Sequence, residues 1–447
     1  MVSPRKIGSG TDLDDPRPSS RIPGFYKLSL PERLAELVAR GIIEEADAAW
    51  LQGREGGLGF EVADNMIENA IGVLELPLGL GLNFLINGRD YVVPMAVEEP
   101  SVVAAVSHVA NLARRAGGFE AACERSTMIG QIQVVGCPDI DAARSGVEAH
   151  TAELLELANG LDRPLVECGG GAVGLETRVV GGGDFRTMLV VHLHVDCVDA
   201  MGANAINTMA EGIAPRIEEL TGGRVFLRIL SNLAELRTAT ASCRIPIREL
   251  AWHGFDGAEV AEGIALASEF ASVDPYRAAT HNKGIMNGVS SVCIATGNDW
   301  RAIEAGAHAF AARSGQYGPL AVWNVEGEHL VGRIEIPAAV GIVGGPIRIH
   351  PTVQLAHRIL RLESASELAA VMAAVGLAQN MAAIKALATE GIQRGHMALH
   401  ARSVAVSAGA SELELDAVVR GLIAAGDVKL SRAHEVLTSL REITADR

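Results

Sequence analysis

Apolar residues recur along this chain at two spacings, and the switches between them mark its elements. Ser29-Leu30-Pro31-Glu32 reads as a cap with proline in the first turn, opening a helix to about Ala39. A second helix is expected over 44–52, then a glycine-rich turn from Gly53 to Gly59. Glu68, inside Asp64 to Ile71, reads as a solvated helix residue. Apolar runs between 73 and 97 are broken by turns, and Asn87-Gly88 is a hairpin signal. Glu98-Glu99-Pro100-Ser101 ends a strand and starts a helix over 101–115, with proline near its first position. Two carboxylates there suit the positive end of a helix dipole.

From Met128 to Val135 the period drops to two, which predicts a strand. A helix is expected over about 139–158 and a second strand over 186–197. The helix that opens at Asp199 puts Ile206, Met209, Ile213, Ile217 and Leu220 on one face and ends at Gly222-Gly223. Phe226 to Leu230 is a further strand. This βαββαβ order predicts a small ferredoxin-like domain over 125–235, inserted into a larger, mainly helical one. The fold class is α+β. Residues 1–20 read as a mobile leader, 21–124 and 236–390 as the two parts of the large domain, and 391–447 as a helical C-terminal flap. A long apolar helix is expected over 366–389, and amphipathic helices over 411–425 and 431–442.

The stretch 275–301 is the richest in chemistry. Lys283 lies between glycine-punctuated turns, Val289 to Ala295 reads as a strand or buried segment, and a helix follows from Trp300 to Arg313. Asp299 is a good N-cap type. It can also pair with Lys283 across that segment, since a working lysine needs a neighbour that fixes its protonation state.

Composition narrows the classes. The chain has 447 residues, enough for two or three domains, and only 4% are aromatic, so the core rests on Ala, Val, Leu and Ile. A net charge of −16 excludes the basic face a nucleic-acid partner would need. Six cysteines without a CxxC pair read as reduced thiols of a cytoplasmic protein. The N-terminus shows no signal-peptide pattern, and the apolar run 369–388 is broken by Gln379, Asn380 and Lys385, so no membrane span is expected.

Two motifs point elsewhere. Gly169 to Gly174 satisfies GxGxxG, but Leu175 to Val180 alternates like a strand, whereas a Rossmann fingerprint needs a helix there. His192-Leu193-His194-Val195-Asp196 sets two imidazoles and a carboxylate on one strand face, the start of a ligand set for a metal-dependent hydrolase or oxygenase. A polar strand face gives the same pattern, and no second ligand cluster is evident. An acidic oligomer that binds CoA esters without turning them over is a third class.

Five stretches carry a resemblance: Thr280–Gly288 (THNKGIMNG) with Thr296–Ala302 (TGNDWRA), Ala96–Ser101 (AVEEPS), Asp199–Asn204 (DAMGAN) and Gly395–His400 (GHMALH). From about Arg21 to about Ala410 the chain resembles class II, bacterial-type, 3-hydroxy-3-methylglutaryl-CoA (HMG-CoA) reductases. The resemblance implies two successive hydride transfers that interconvert HMG-CoA and mevalonate plus CoA, in isoprenoid synthesis or mevalonate breakdown. It assigns catalysis to Glu99, Lys283, Asp299 and His396, and substrate contacts to Ser101, Arg277 and Asn287. Asp199, Ala200, Met201, Gly202, Ala203 and Asn204 become the dinucleotide loop, with Asp199 expected to cap its helix. Asp162 falls where NAD-using members carry an acid for the adenosine ribose, so NAD(H) is expected, with NADP(H) as the alternative and no metal. Glu68 to Gly72 belongs to the part of the site contributed across a homodimer. A trimer of dimers (homohexamer) is the larger assembly the family forms.

Overall fold

The computed structural model describes residues 17–53, 57–389, 391 and 401–445. Ten strands among these residues form two sheets: β1 (Leu78–Ile86), β2 (Arg89–Ala96), β3 (Phe119–Ala122), β4 (Thr127–Val135), β5 (Gly171–Gly182), β6 (Phe185–Asp196), β7 (Arg224–Leu230), β8 (Thr238–Pro246), β9 (Ala321–Glu326) and β10 (His329–Pro337). The larger sheet runs β2-β1-β3-β8-β10-β9 and the smaller β5-β6-β4-β7. Asn87 and Gly88 join β1 to β2 with φ of 51° and 79°, the left-handed pair that a tight hairpin needs.

In order, the helices needed here are α1 (Leu30–Ala39), α2 (Glu45–Gln52), α3 (Phe60–Met66), α4 (Val102–Arg114), α5 (Ile140–Ala149), α6 (Thr151–Leu161), α7 (Arg163–Glu167), α8 (Ala203–Thr221), α9 (Gly257–Val273), α10 (Pro275–Ala295), α11 (Trp300–Ala311), α12 (Pro351–Leu360) and α13 (Ala365–Ala388). The smaller sheet is antiparallel throughout, and α5, α6 and α8 fill the crossovers. That is the ferredoxin-like arrangement. Leu189, Val191, Leu193 and Val195 of β6 point into the core with Ile206, Met209, Ile213 and Ile217 of α8. β5 begins at Gly171, so a strand follows the GxGxxG motif and the Rossmann reading stays excluded.

Several local expectations are corrected. Residues 139–158 form two helices that meet at His150. Glu68 sits in a turn beyond α3, which ends at Met66. Residues 17–20, expected to belong to a mobile leader, are anchored: Ser20 is buried and bonds the Asp90 carboxylate and the Phe84 carbonyl, and Arg17 pairs with Glu367 at 3.0 Å. A buried hydroxyl needs such partners, and they fix the chain at that point.

The largest correction is α10. It runs unbroken from Pro275 to Ala295, where glycine-punctuated turns and then a strand or buried segment were expected; 289–295 is mostly buried, but as helix. Gly288 is there for close packing. A Cβ on Gly288 would lie 2.9 Å from Gln379 Cβ of α13, and one on Gly376 would lie 2.8 Å from Val289. The two helices meet where both lack side chains, and tertiary packing outweighs the helix penalty of glycine. α13 is apolar and long enough to cross a membrane, but 83% of its most apolar window is buried inside the protein. Of its polar interruptions, Asn380 is satisfied internally, accepting from Trp323 Nε1 at 2.9 Å and meeting His281 Nε2 at 3.0 Å.

The helices Glu412–Ala425 and Leu430–Ala445 match the expected tail helices. They share a small core of their own, built on Ala401, Ala405, Val418, Leu422 and Leu437.

Candidate active site

Two elements far apart in sequence bring the catalytic candidates together. β2 ends at Ala96, and the short link through Glu99 and Pro100 leads to Ser101, the N-cap of α4. Pro100 therefore stands outside the helix, before its cap. Across from it, α10 presents Lys283 and Asn287, one turn apart on one face. Lys283 Nζ donates to Glu99 Oε2 at 2.9 Å, and Asn287 Nδ2 donates to the same oxygen at 3.1 Å. The Lys283 side chain is 63% exposed and that of Glu99 34%. An exposed ion pair contributes about 0–1 kcal/mol to stability. Its geometry is thus available for chemistry and is not needed to hold the fold.

Glu99 and Ser101 line a cleft of 1240 Å³ walled by the Arg21–Tyr26 segment, α1, β1 and α4. His108, Arg114 and Arg115 lie on its α4 wall. Ser101 has φ +75°, and its side chain does not cap α4. A serine in the left-handed region costs conformational energy, and such strain clusters at working sites. The positive φ leaves a hydroxyl on the cleft wall.

The other catalytic candidates are placed less closely. Asp299 caps α11, accepting from the amides of Arg301 at 3.0 Å and Ala302 at 3.1 Å. It lies 3.5 Å from Arg301 Nε, and among the described residues it makes no ion pair with Lys283. The reason is the length of α10: Lys283 is mid-helix, and Asp299 comes after the helix end. Arg277 sits in the first turn of α10, about 240° round the helix from Lys283. It is half-buried, burial lowers the pKa of its guanidinium, and no carboxylate among the described residues pairs with it. His396 lies outside the described residues.

The dinucleotide candidates form a second centre. α8 begins after Gly202, which has φ +102° and offers no side-chain cap. A Cβ on Gly202 would meet Cys197 Sγ at 2.2 Å, so only glycine fits. The first-turn amides of Ala203 and Asn204 lack a side-chain cap, an arrangement suited to an anion such as a diphosphate. These residues fit a dinucleotide. Asp199 does not cap this helix. Its carboxylate accepts from the amide of Ala365 at 2.8 Å, at the start of α13, while its carbonyl accepts from Ile342 at 3.0 Å. Ala200 and Met201 complete the loop. Asp162 caps α7 through the Leu165 amide at 3.2 Å. Burial pushes the Cys197 thiol, at the root of the loop, up to about 11, against the opposing charge of Arg237.

Sequence reasoning missed the residue that holds this loop. Arg237 is 1% exposed and donates to the carbonyls of Ala200 (2.9 Å), Met201 (3.3 Å), Val198 (3.4 Å) and Val340 (2.6 Å). Asn298, next to Asp299, pairs both ways with Gly341: Gly341 N donates to its Oδ1 at 2.8 Å, and its Nδ2 donates to Gly341 O at 3.1 Å. The loop is thereby tied to the start of α11. Replacing Arg237 by lysine keeps the charge but loses the planar fork. The expected result is a rise of about tenfold in KM for the dinucleotide, with KM for the thioester unchanged and a larger loss in Arg237→Met. A fall in thermal stability without the KM split would show that Arg237 only supports the fold.

A second cluster was also missed. Lys385 of α13 lies 4.2 Å from the Trp252 ring centroid and 3.3 Å from His108 Nε2. Burial pulls Lys385 down to about 8, and burial with the Lys385 charge pulls His108 down to about 4. The imidazole is therefore neutral at pH 7.

The metal-enzyme ligand set does not form. Asp196 turns from the histidines, accepting from Ser126 and from the Val198 amide at 3.0 Å.

Comparison with known proteins agrees with this geometry. A family model described as hydroxymethylglutaryl-coenzyme A reductase matches residues 32–401. A 3-hydroxy-3-methylglutaryl-coenzyme A reductase of Archaeoglobus fulgidus is 53% identical over 425 residues, covering 95% of each chain. A probable 3-hydroxy-3-methylglutaryl-coenzyme A reductase of Borreliella burgdorferi is 37% identical over 76% of this chain and 77% of its own. Among solved structures, the reductase of Streptococcus pneumoniae superposes with a TM-score of 0.80 at 46% identity, covering 94% of this chain and 99% of that one. A class II structure from the same organism, described as bound to NADPH in open conformations, gives a TM-score of 0.79 at 46% identity, over 82% of this chain and 99% of that one.

Proposed function

This chain belongs to the hydroxymethylglutaryl-coenzyme A reductase family, and from that premise we propose how its residues divide the work. It is an oxidoreductase that interconverts HMG-CoA with mevalonate and CoA, using a nicotinamide cofactor. A metal-dependent hydrolase or oxygenase is not favoured. The observation that carries the residue assignment is the Lys283–Glu99–Asn287 cluster beside a cleft large enough for a CoA thioester.

When bound, the nicotinamide supplies hydride, two equivalents for each thioester taken to the alcohol. As the thioester carbonyl is reduced, negative charge gathers on its oxygen. Lys283 stabilises that charge more strongly in the transition state than in the ground state, which is what accelerates a step. Glu99, itself oriented by Asn287, holds the ammonium in place. The departing CoA thiolate gains from a proton, since a free thiol has a pKa near 8.5. His396 is the residue assigned to deliver it, as imidazole titrates in the working range. Glu99, once it has taken up a proton, protonates the alkoxide formed from the bound aldehyde. Asp299 is assigned to the same relay once the site is completed in a homodimer. Arg277 and Ser101 hold the substrate's free carboxylate and neighbouring oxygens, a task for which a planar fork is suited.

The homodimer reading has its own support. After α3, Ile67, Ile71 and Leu74 are 61%, 100% and 91% exposed in the single chain. Such a run of apolar side chains is expected to be covered in an assembly. A trimer of dimers remains the larger form we propose. All six cysteines are unpaired, in keeping with a reducing compartment, the cytoplasm.

NADH is proposed as the preferred cofactor, because a carboxylate at 162 accepts from a ribose hydroxyl and repels a 2′-phosphate. Asp162→Asn keeps the α7 cap but removes the charge. It is expected to raise kcat/KM for NADPH about tenfold, equivalent to ~1.4 kcal/mol, with thermal stability unchanged. A wild-type enzyme that already favours NADPH would reverse this reading.

The activity itself is tested by following nicotinamide absorbance on adding HMG-CoA, with and without EDTA. Oxidation of the cofactor that EDTA does not slow is expected. Thiol release that needs a metal and consumes no reduced cofactor would refute the assignment.

A further inference from the structure

We propose that Glu176, His192 and His194 form a binding site for a divalent transition-metal ion of the zinc class, on the small sheet and separate from the Lys283 site. β6 puts His192 and His194 on the face opposite its core residues, because side chains two apart share a face. The sequence gives no third ligand nearby, but the register does. Glu176 of β5 lies directly across from His192. One donor atom from each of the three residues falls within 4.8 Å of the others.

The donor chemistry fits such an ion. Two imidazoles and one carboxylate are a ligand set for zinc and its neighbours. His194 Nε2 is buried and has no hydrogen-bond partner, and it faces Glu176 Oε2 at 4.0 Å. A buried ring nitrogen without a partner is rare and asks for an occupant. Gln131, opposite His192 on β4, places its amide nitrogen 2.9 Å from His192 Nε2. In that arrangement Nε2 accepts from the amide, so its lone pair becomes available to an ion once the Gln131 side chain rotates away.

Zinc ligands at about 2.0–2.2 Å from the ion must approach one another more closely than these donors now do. Glu176 can close that gap, because its side chain is 57% exposed and free to turn. The same exposure gives the ion a path in. One position of a tetrahedral site would remain, for water or for the Gln131 amide oxygen after rotation. β6 leads through Val198 into the dinucleotide loop, so a bound ion would brace the strand that carries it.

The test uses the full chain, stripped with chelator and titrated with Zn²⁺ by calorimetry and with Co²⁺ by visible absorption. Other histidines and thiols can bind metal, so the comparison is between variants. Wild type is expected to bind one more equivalent than His194→Gln, or to bind it about tenfold or more tightly. Glu176→Gln should show the same loss, and Zn²⁺ should raise the Tm of wild type alone. Glu176 is exposed, so its variant should fold and reduce HMG-CoA normally. Identical isotherms and identical zinc-induced Tm shifts in wild type and both variants would overturn the proposal.

Discussion

Lys283→Met is expected to lower kcat for HMG-CoA reduction by about 10²–10³-fold or more, with KM for HMG-CoA little changed. The side chain is nearly isosteric, and the position is exposed, so folding should be unaffected. What is lost is the cation assigned to meet charge developing on the carbonyl oxygen. The ammonium donates to Glu99 at 2.9 Å and has no other ion-pair partner among the described residues. Its removal therefore leaves that charge facing a carboxylate and an amide. Because both hydride transfers build charge on the same oxygen, reduction of the free aldehyde should slow as well. A lysine that merely anchored CoA would instead raise KM for the thioester and leave aldehyde reduction intact. Lys283→Arg should recover part of the rate, since it restores charge with a different reach. A methionine variant within tenfold of the wild-type kcat would remove Lys283 from the mechanism.

Ending the chain after Thr389 is expected to abolish thioester reduction and leave a folded, soluble protein. The described tail helices form a core of their own, distinct from the cluster that holds both sheets and α13. Cutting there exposes little of the main core, and α13 is retained whole. The missing part includes His396, the assigned proton donor to the leaving thiolate. Expelling an unprotonated thiolate is the step most dependent on that residue, so aldehyde reduction should survive better than thioester reduction. Circular dichroism should show one cooperative transition close to that of the full chain. Substantial residual turnover of HMG-CoA would contradict the role given to His396, and loss of the cooperative transition would contradict the separate core.

Much of the secondary structure was legible because local rules and tertiary structure agree. Asn87-Gly88 predicts a hairpin, and both residues take the left-handed conformation that the turn demands. The apolar stripe of α8 and the alternation in β4 and β6 match their buried faces. Reading failed where a residue serves a distant partner. Gly284 and Gly288 look like turn formers, yet they lie inside α10 where α13 passes closely. Asp199 looks like a cap for the helix that follows, yet its carboxylate bonds the start of α13. Asp299, in contrast, has the capping role that its residue type suggests.

The site was legible only through resemblance. Glu99 and Lys283 are far apart in sequence, and no periodicity says that a link after β2 will meet the middle of α10. Arg237 gave no signal, because a lone arginine before a strand is ordinary until four carbonyls surround it. Glu176 was invisible for a similar reason, since strand register is not written in composition.

The most direct measurement is the stoichiometry of a complete turnover, in which nicotinamide oxidised and CoA thiol released are counted together. Two oxidised cofactors for each thiol are predicted, because the aldehyde stays at Lys283 for its second reduction. One cofactor per thiol with aldehyde accumulating, or thiol released with no cofactor consumed, would contradict the account.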